Sequence, residues 1–131
     1  RTERILRNFQ SGGFSIKSTR GQVHFKNSGV YLYQHMDVYN LPIEVANALS
    51  LKERWDDEEY LTRIVFDTMK DQSNAQTTGY GIGTEEHGDI EYLVVLDVTH
   101  QTVEVKYSHN ETWTGSFSDF IQLGQKKLES F

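Results

Sequence analysis

The chain reads as one α+β domain, 1-131: a mainly antiparallel sheet of about six strands packed with three to four helices. Three observations predict this. Apolar residues alternate with polar ones in short runs, and the connections between them are too short for a parallel crossover. Other segments repeat apolar residues at helical spacing. The length, 131 residues, suits one hydrophobic core and is too short for two.

From the N-terminus, Ile5, Leu6 and Phe9 lie at helical spacing, and Ser11, Gly12 and Gly13 end a short amphipathic helix over Arg1 to Gln10. Phe14 and Ile16, then Val23 and Phe25, then Val30 and Leu32 mark three strands of an antiparallel meander, with turns at Thr19-Arg20-Gly21-Gln22 and Asn27-Ser28-Gly29. Pro42 suits a first helical turn, where its missing N–H costs nothing, so a short helix should run to about Leu51. Asp56, Asp57, Glu58 and Glu59 sit where the positive end of a helix dipole favours carboxylates. Behind them Leu61, Ile64, Val65, Thr68 and Met69 form one stripe, the clearest helical pattern in the chain.

Asp71 to Thr78 is polar and reads as a loop. Tyr80 and Ile82, then Tyr92, Val94 and Leu96, mark two strands around a polar hairpin tip at Glu85-Glu86-His87-Gly88-Asp89. Leu93 and Val95 make the second strand apolar on both faces, which places it mid-sheet. Val103, Val105 and Tyr107 alternate with polar residues, so this strand should pair with its predecessor as a hairpin. Ser116-Phe117-Ser118-Asp119 has the form of a capping box with Asp in place of Glu, and Phe117, Phe120, Ile121 and Leu128 supply an apolar face for a closing helix that Gly124 weakens.

Composition excludes several classes of function. There are no cysteines, hence no disulfide framework, thiolate metal site or cysteine nucleophile, which fits the cytoplasm. No apolar run approaches the length of a membrane span. The chain starts at Arg1 rather than Met, so residues ahead of it are expected to have been removed, and a targeting segment among them is not expected. A net charge of −6 disfavours direct nucleic-acid binding and favours a basic partner.

No motif demands an enzyme. Gly79-Tyr80-Gly81-Ile82-Gly83 neither keeps the dinucleotide-binding spacing nor opens a helix, and reads as a strand that permits a bulge or close backbone approach. His87, Asp89 and Glu91 would converge on zinc or manganese only in an extended loop, so neither metal nor cofactor is expected. His24, His35, His87, His100 and His109, with Lys26 or Lys106 as the cation, leave open a small histidine-dependent hydrolase or nuclease, and His87, Asp89 and Glu91 a metal-dependent one. Asn110-Glu111-Thr112 matches a glycosylation acceptor that matters only in the secretory pathway.

Two acidic clusters flank aromatic residues: Asp56, Asp57, Glu58 and Glu59 beside Trp55 and Tyr60, and Glu85, Glu86, Asp89 and Glu91 beside Tyr80 and Tyr92. Carboxylates steer a basic protein and aromatics anchor it, so these residues are the expected partner-binding surface, with helix capping and loop solvation as the simpler alternatives. The run from Glu91 to Val98, followed by Thr102 to Val105 and by Ser116 to Ile121, resembles bacterial immunity proteins of contact-dependent growth inhibition and related polymorphic toxin systems. That resemblance, over residues 79 to 121, implies a non-enzymatic stoichiometric inhibitor of a cognate toxin, often a basic nuclease. A phage or host adaptor differs from it only in the partner.

Overall fold

The computed structural model describes residues 19–35, 38–71, 79–108 and 110–130. They form β1 (Arg20–Phe25), β2 (Tyr31–His35), a 3-10 turn (Val38–Asn40), α1 (Leu41–Ser50), α2 (Glu58–Asp71), β3 (Tyr80–Gly83), β4 (Tyr92–Asp97), β5 (Thr102–Tyr107), β6 (Asn110–Ser116) and α3 (Phe117–Ser130). The strands make one sheet in the order β3-β2-β1-β4-β5-β6, antiparallel except where β1 lies parallel to β4. The α+β architecture is therefore the one the sequence patterns predict. The helix expected over Arg1 to Gln10, the strand at Phe14 and Ile16, and most of the loop from Asp71 to Thr78 lie outside the described residues.

The β1–β2 hairpin turns through Asn27-Ser28-Gly29, where Gly29 has φ +86° and its N–H donates to the Phe25 carbonyl at 2.8 Å. A side chain at that φ would be strained. Register carries Leu32, Val23, Val94, Val105 and Trp113 across one face of the sheet. The helices cover this face: Val45 and Leu49 of α1, Leu61, Val65 and Met69 of α2, and Phe117, Phe120 and Ile121 of α3 share one buried cluster with the sheet residues. Pro42 lies in the first turn of α1 as expected. The Ser116 hydroxyl caps α3 by accepting the Asp119 N–H at 3.0 Å.

β4 is central and buried on both faces, with Tyr92, Val94 and Leu96 on the helix side and Leu93 opposite. Its hairpin with β5 matches the expected pairing. Three expectations change. Arg20, Gly21 and Gln22 are not a turn but the first half of β1: Gly21 pairs with Gln34 on one side and Tyr92 on the other, and it is a glycine because a Cβ there would press on Leu41 and Val38. Glu85 to Asp89 is not a hairpin tip, because β2 and β1 stand between β3 and β4. Eight residues, 84–91, cross the second face of the sheet instead. Their extended reach of about 26 Å exceeds three strand spacings, about 14 Å, so a short connection does not oblige its strands to be neighbours. The sixth strand, β6, comes from Asn110–Ser116, whose only large apolar residue is Trp113 and which therefore carries little alternation.

Candidate interaction surface

The face of the sheet away from the helices carries β1 residues Gln22 and His24, β2 residues Tyr31 and Tyr33, and β4 residues Leu93 and Val95, in register. The 84–91 segment lies over it. Gln22, only 1% exposed, holds this segment from below: its amide nitrogen donates to the Glu85 carbonyl at 3.1 Å, and its amide oxygen accepts the His87 N–H at 2.9 Å. The His87 ring tilts against Tyr33 with centroids 4.9 Å apart, and His24 stacks on Tyr31 at 4.0 Å. At its far end the segment is tied to β1. The Arg20 N–H donates to the Glu91 carboxylate at 2.8 Å, the Glu91 N–H donates to the Arg20 carbonyl at 2.6 Å, and Arg20 pairs with Asp89 at 3.5 Å.

These contacts divide the second acidic cluster. Glu91, half-buried, and Asp89, exposed but paired with Arg20, tie the loop to β1, whereas Glu85 and Glu86 are exposed and make no ion pair among the described residues. The first cluster divides similarly. Asp57 receives the Tyr60 N–H at 3.4 Å at the start of α2, and Glu58 accepts the Asn27 N–H at 3.2 Å, joining α2 to the β1–β2 turn. Asp56 and Glu59 are exposed. Among the described residues, none of Asp56, Glu59, Glu85 and Glu86 forms an ion pair. The clusters are far apart in sequence, yet both act on one imidazole. Burial lowers the His24 pKa and Lys26 adds to the lowering, while the Val30 backbone, Glu86 and Glu58 oppose it.

The aromatics expected to anchor a partner are mostly committed to the fold. Trp55 is half-buried: its indole N–H donates to the Leu49 carbonyl at 3.0 Å and its ring meets Phe117 edge-on at 5.3 Å. Tyr92 is 1% exposed, and burial beside Tyr107 and Tyr39 raises its phenol pKa strongly. Tyr80 packs edge-on against Phe66. Only Tyr60 matches the expected exposure, at 53%, with the Arg54 guanidinium 4.4 Å above its ring. Sequence reasoning missed Tyr31, Tyr33 and Gln22, and named His24 only for acid–base chemistry. For the two tyrosines the signal was the phase opposite Leu32 in Tyr31-Leu32-Tyr33-Gln34-His35, and for Gln22 the phase opposite Val23 and Phe25 in β1.

Among the described residues, no group of three or more His, Asp or Glu side chains is gathered in a way that could hold a metal ion. His87, Asp89 and Glu91 are engaged separately, with Tyr33, Arg20 and the Arg20 backbone. His24 and His87 do share the open face, while His100 lies at the β4–β5 turn and meets Asp97 at 2.9 Å. Among the described residues no helix is long and apolar enough to cross a membrane. Comparison with protein-family models, curated proteins and solved structures finds no match to this chain.

Proposed function

We propose that this chain is a stoichiometric protein inhibitor, an immunity protein of the contact-dependent growth inhibition kind, that acts in the cytoplasm by binding a basic toxin, most simply a nuclease. One observation carries the reading: Glu85 and Glu86 are exposed on a loop whose backbone is fixed by the buried Gln22 amide. A loop ordered before binding spares the ordering entropy of association, and exposed carboxylates on it accelerate encounter with a cationic protein. The resemblance of Glu91 to Val98 and the segments after it to immunity proteins points the same way. The test is retrieval of partners from the native lysate at low and high salt. A single basic protein, retained at a one-to-one ratio, toxic alone and neutralised by this chain, is the expected result. A partner without toxicity would make the chain an adaptor instead.

The placement of His24 and His87 on one face favours a second reading, a small histidine-dependent nuclease. Turnover of RNA or DNA by the purified protein, lost on His87→Ala, would support it. No turnover, or turnover indifferent to that substitution, counts against it.

A further inference from the structure

The two edges of the sheet are finished differently. β6 carries a register irregularity opposite Val105 and Lys106, where Trp113 pairs with Val105 and Glu111 with Lys106, leaving Thr112 as an extra residue. Such a bulge blunts an edge against further pairing. Among the described residues β3 is the other edge, and it reads Tyr80-Gly81-Ile82-Gly83, with no proline, charge or register shift of its own to protect it. Its pattern of bonding to β2 is fixed by the bond from the His35 N–H to the Gly79 carbonyl at 2.8 Å. In an antiparallel pair, hydrogen-bonded and non-bonded positions alternate. Gly79, Gly81 and Gly83 therefore face β2, and the N–H and C=O groups of Tyr80 and Ile82 point outward.

Side chains on this strand are arranged to accept a neighbour. On the helix side Ile82 is 67% exposed, although it is level with buried Leu32. On the open side Gly81 and Gly83 present no side chain, and a Cβ at Gly83 would meet nothing within 4 Å. Beyond these glycines lie Tyr33 and Tyr31, and Glu86 is close enough to Tyr31 to help raise its phenol pKa, after burial. A strand laid along β3 would cover Ile82 with its inward residues. Its outward residues would pass over Gly81 and Gly83 toward the Tyr33 and Tyr31 rings, which pack on His87 and His24, with Glu86 near Tyr31, a setting for long cationic side chains.

We infer that the outer edge of β3 receives an extended basic strand of the partner protein, which joins the six-stranded sheet as a further strand. Main-chain bonds to Tyr80 and Ile82 supply register, β-branched residues cover Ile82, and Arg or Lys residues cross the glycines. This rests on the inhibitor reading and names the surface that reading uses.

The test uses the full chain and three synthetic peptides: alternating arginine and valine, the same sequence fully N-methylated, and alternating glutamate and valine. Calorimetry should show the arginine-valine peptide binding at least about tenfold more tightly than either control, because only it has both the backbone donors and the charge. Its binding should slow hydrogen exchange at the Tyr80 and Ile82 amides. Ile82→Pro removes an outward N–H without touching the β2 ladder and should abolish that preference; the N-methylated peptide asks the same question of an unaltered protein. Equal binding of the N-methylated peptide, protection confined to other amides, or no binding by any peptide would overturn the inference. The inhibitor reading is judged separately: a toxic basic partner retained by Ile82→Pro leaves it standing without this edge, whereas the lack of any such partner removes it whatever the peptides do.

Discussion

Gln22 is polar, 1% exposed, and lies on the side of β1 opposite Val23 and Phe25, so on pattern alone it marks a solvent-facing position. Its burial is legible only once the 84–91 segment is known to cross above it. Gln22→Leu keeps the volume but leaves the Glu85 carbonyl and the His87 N–H without their partner. The expected loss is about 1–3 kcal/mol in urea unfolding, with faster hydrogen exchange at His87. His24 predicts a pH effect. Its folded pKa lies below the ordinary imidazole value, chiefly through burial, so the unfolded chain binds its proton more readily. The stability its neutral form confers is intact above the unfolded value of about 6.5 and is lost as pH falls below it and through the lower folded one. His24→Gln should flatten the decline of the urea midpoint between pH 8 and 5. Asp97 acts lower: burial would raise its pKa, but hydrogen bonds from the His100 side chain and backbone outweigh this and lower it, so its contribution holds above the unfolded carboxyl value and is lost as pH falls through the folded one.

At the level of elements, what could be read depended on how strongly each segment repeats. α2 was plain because Leu61, Val65 and Met69 recur on one face, and β4 because it is apolar on both. β6 was not, since an edge strand with one open side needs few apolar residues and Trp113 alone cannot establish a period. Gly124 was legible as a weak point in α3 but its reason was not: a Cβ there would stand 2.7 Å from the Ala46 Cβ of α1, so the glycine allows two helices to pack closely. Gly124→Ala sets a helix-propensity gain of about 1 kcal/mol against overpacking of about 1–3 kcal/mol. The melting temperature should fall, and adding Ala46→Gly should restore part of it. Full additivity of the two substitutions in a double-mutant cycle would show that this contact is not the cause.

At the level of the whole molecule, residue types marked the carboxylates of the candidate surface but not how the fold brings its residues together. The β3 to β4 crossing and the parallel β1–β4 pair are long-range outcomes that no local period encodes, and they bring Tyr31, Tyr33, His24 and the exposed Glu85 and Glu86 to one side. The same crossing explains why half of the second acidic cluster serves the fold: a segment spanning three strand intervals must be tied down, and Glu91 and Asp89 do this at Arg20. A net charge of −6 alone would attract any cation, so the decisive question is whether location matters beyond total charge. Glu86→Gln and Asp67→Asn each remove one negative charge. Glu86 lies on the open face, where it acts on His24 and Tyr31; Asp67 is an exposed α2 residue paired with Arg63 at 3.4 Å. Stopped-flow association with the proposed basic partner at low salt should slow several-fold for Glu86→Gln and hardly change for Asp67→Asn, and the gap should close near 1 M salt, where screening shortens to about 3 Å. Equal slowing by both would mean that the partner responds to net charge alone, and that the fixed loop over Gln22 confers no direction on its approach.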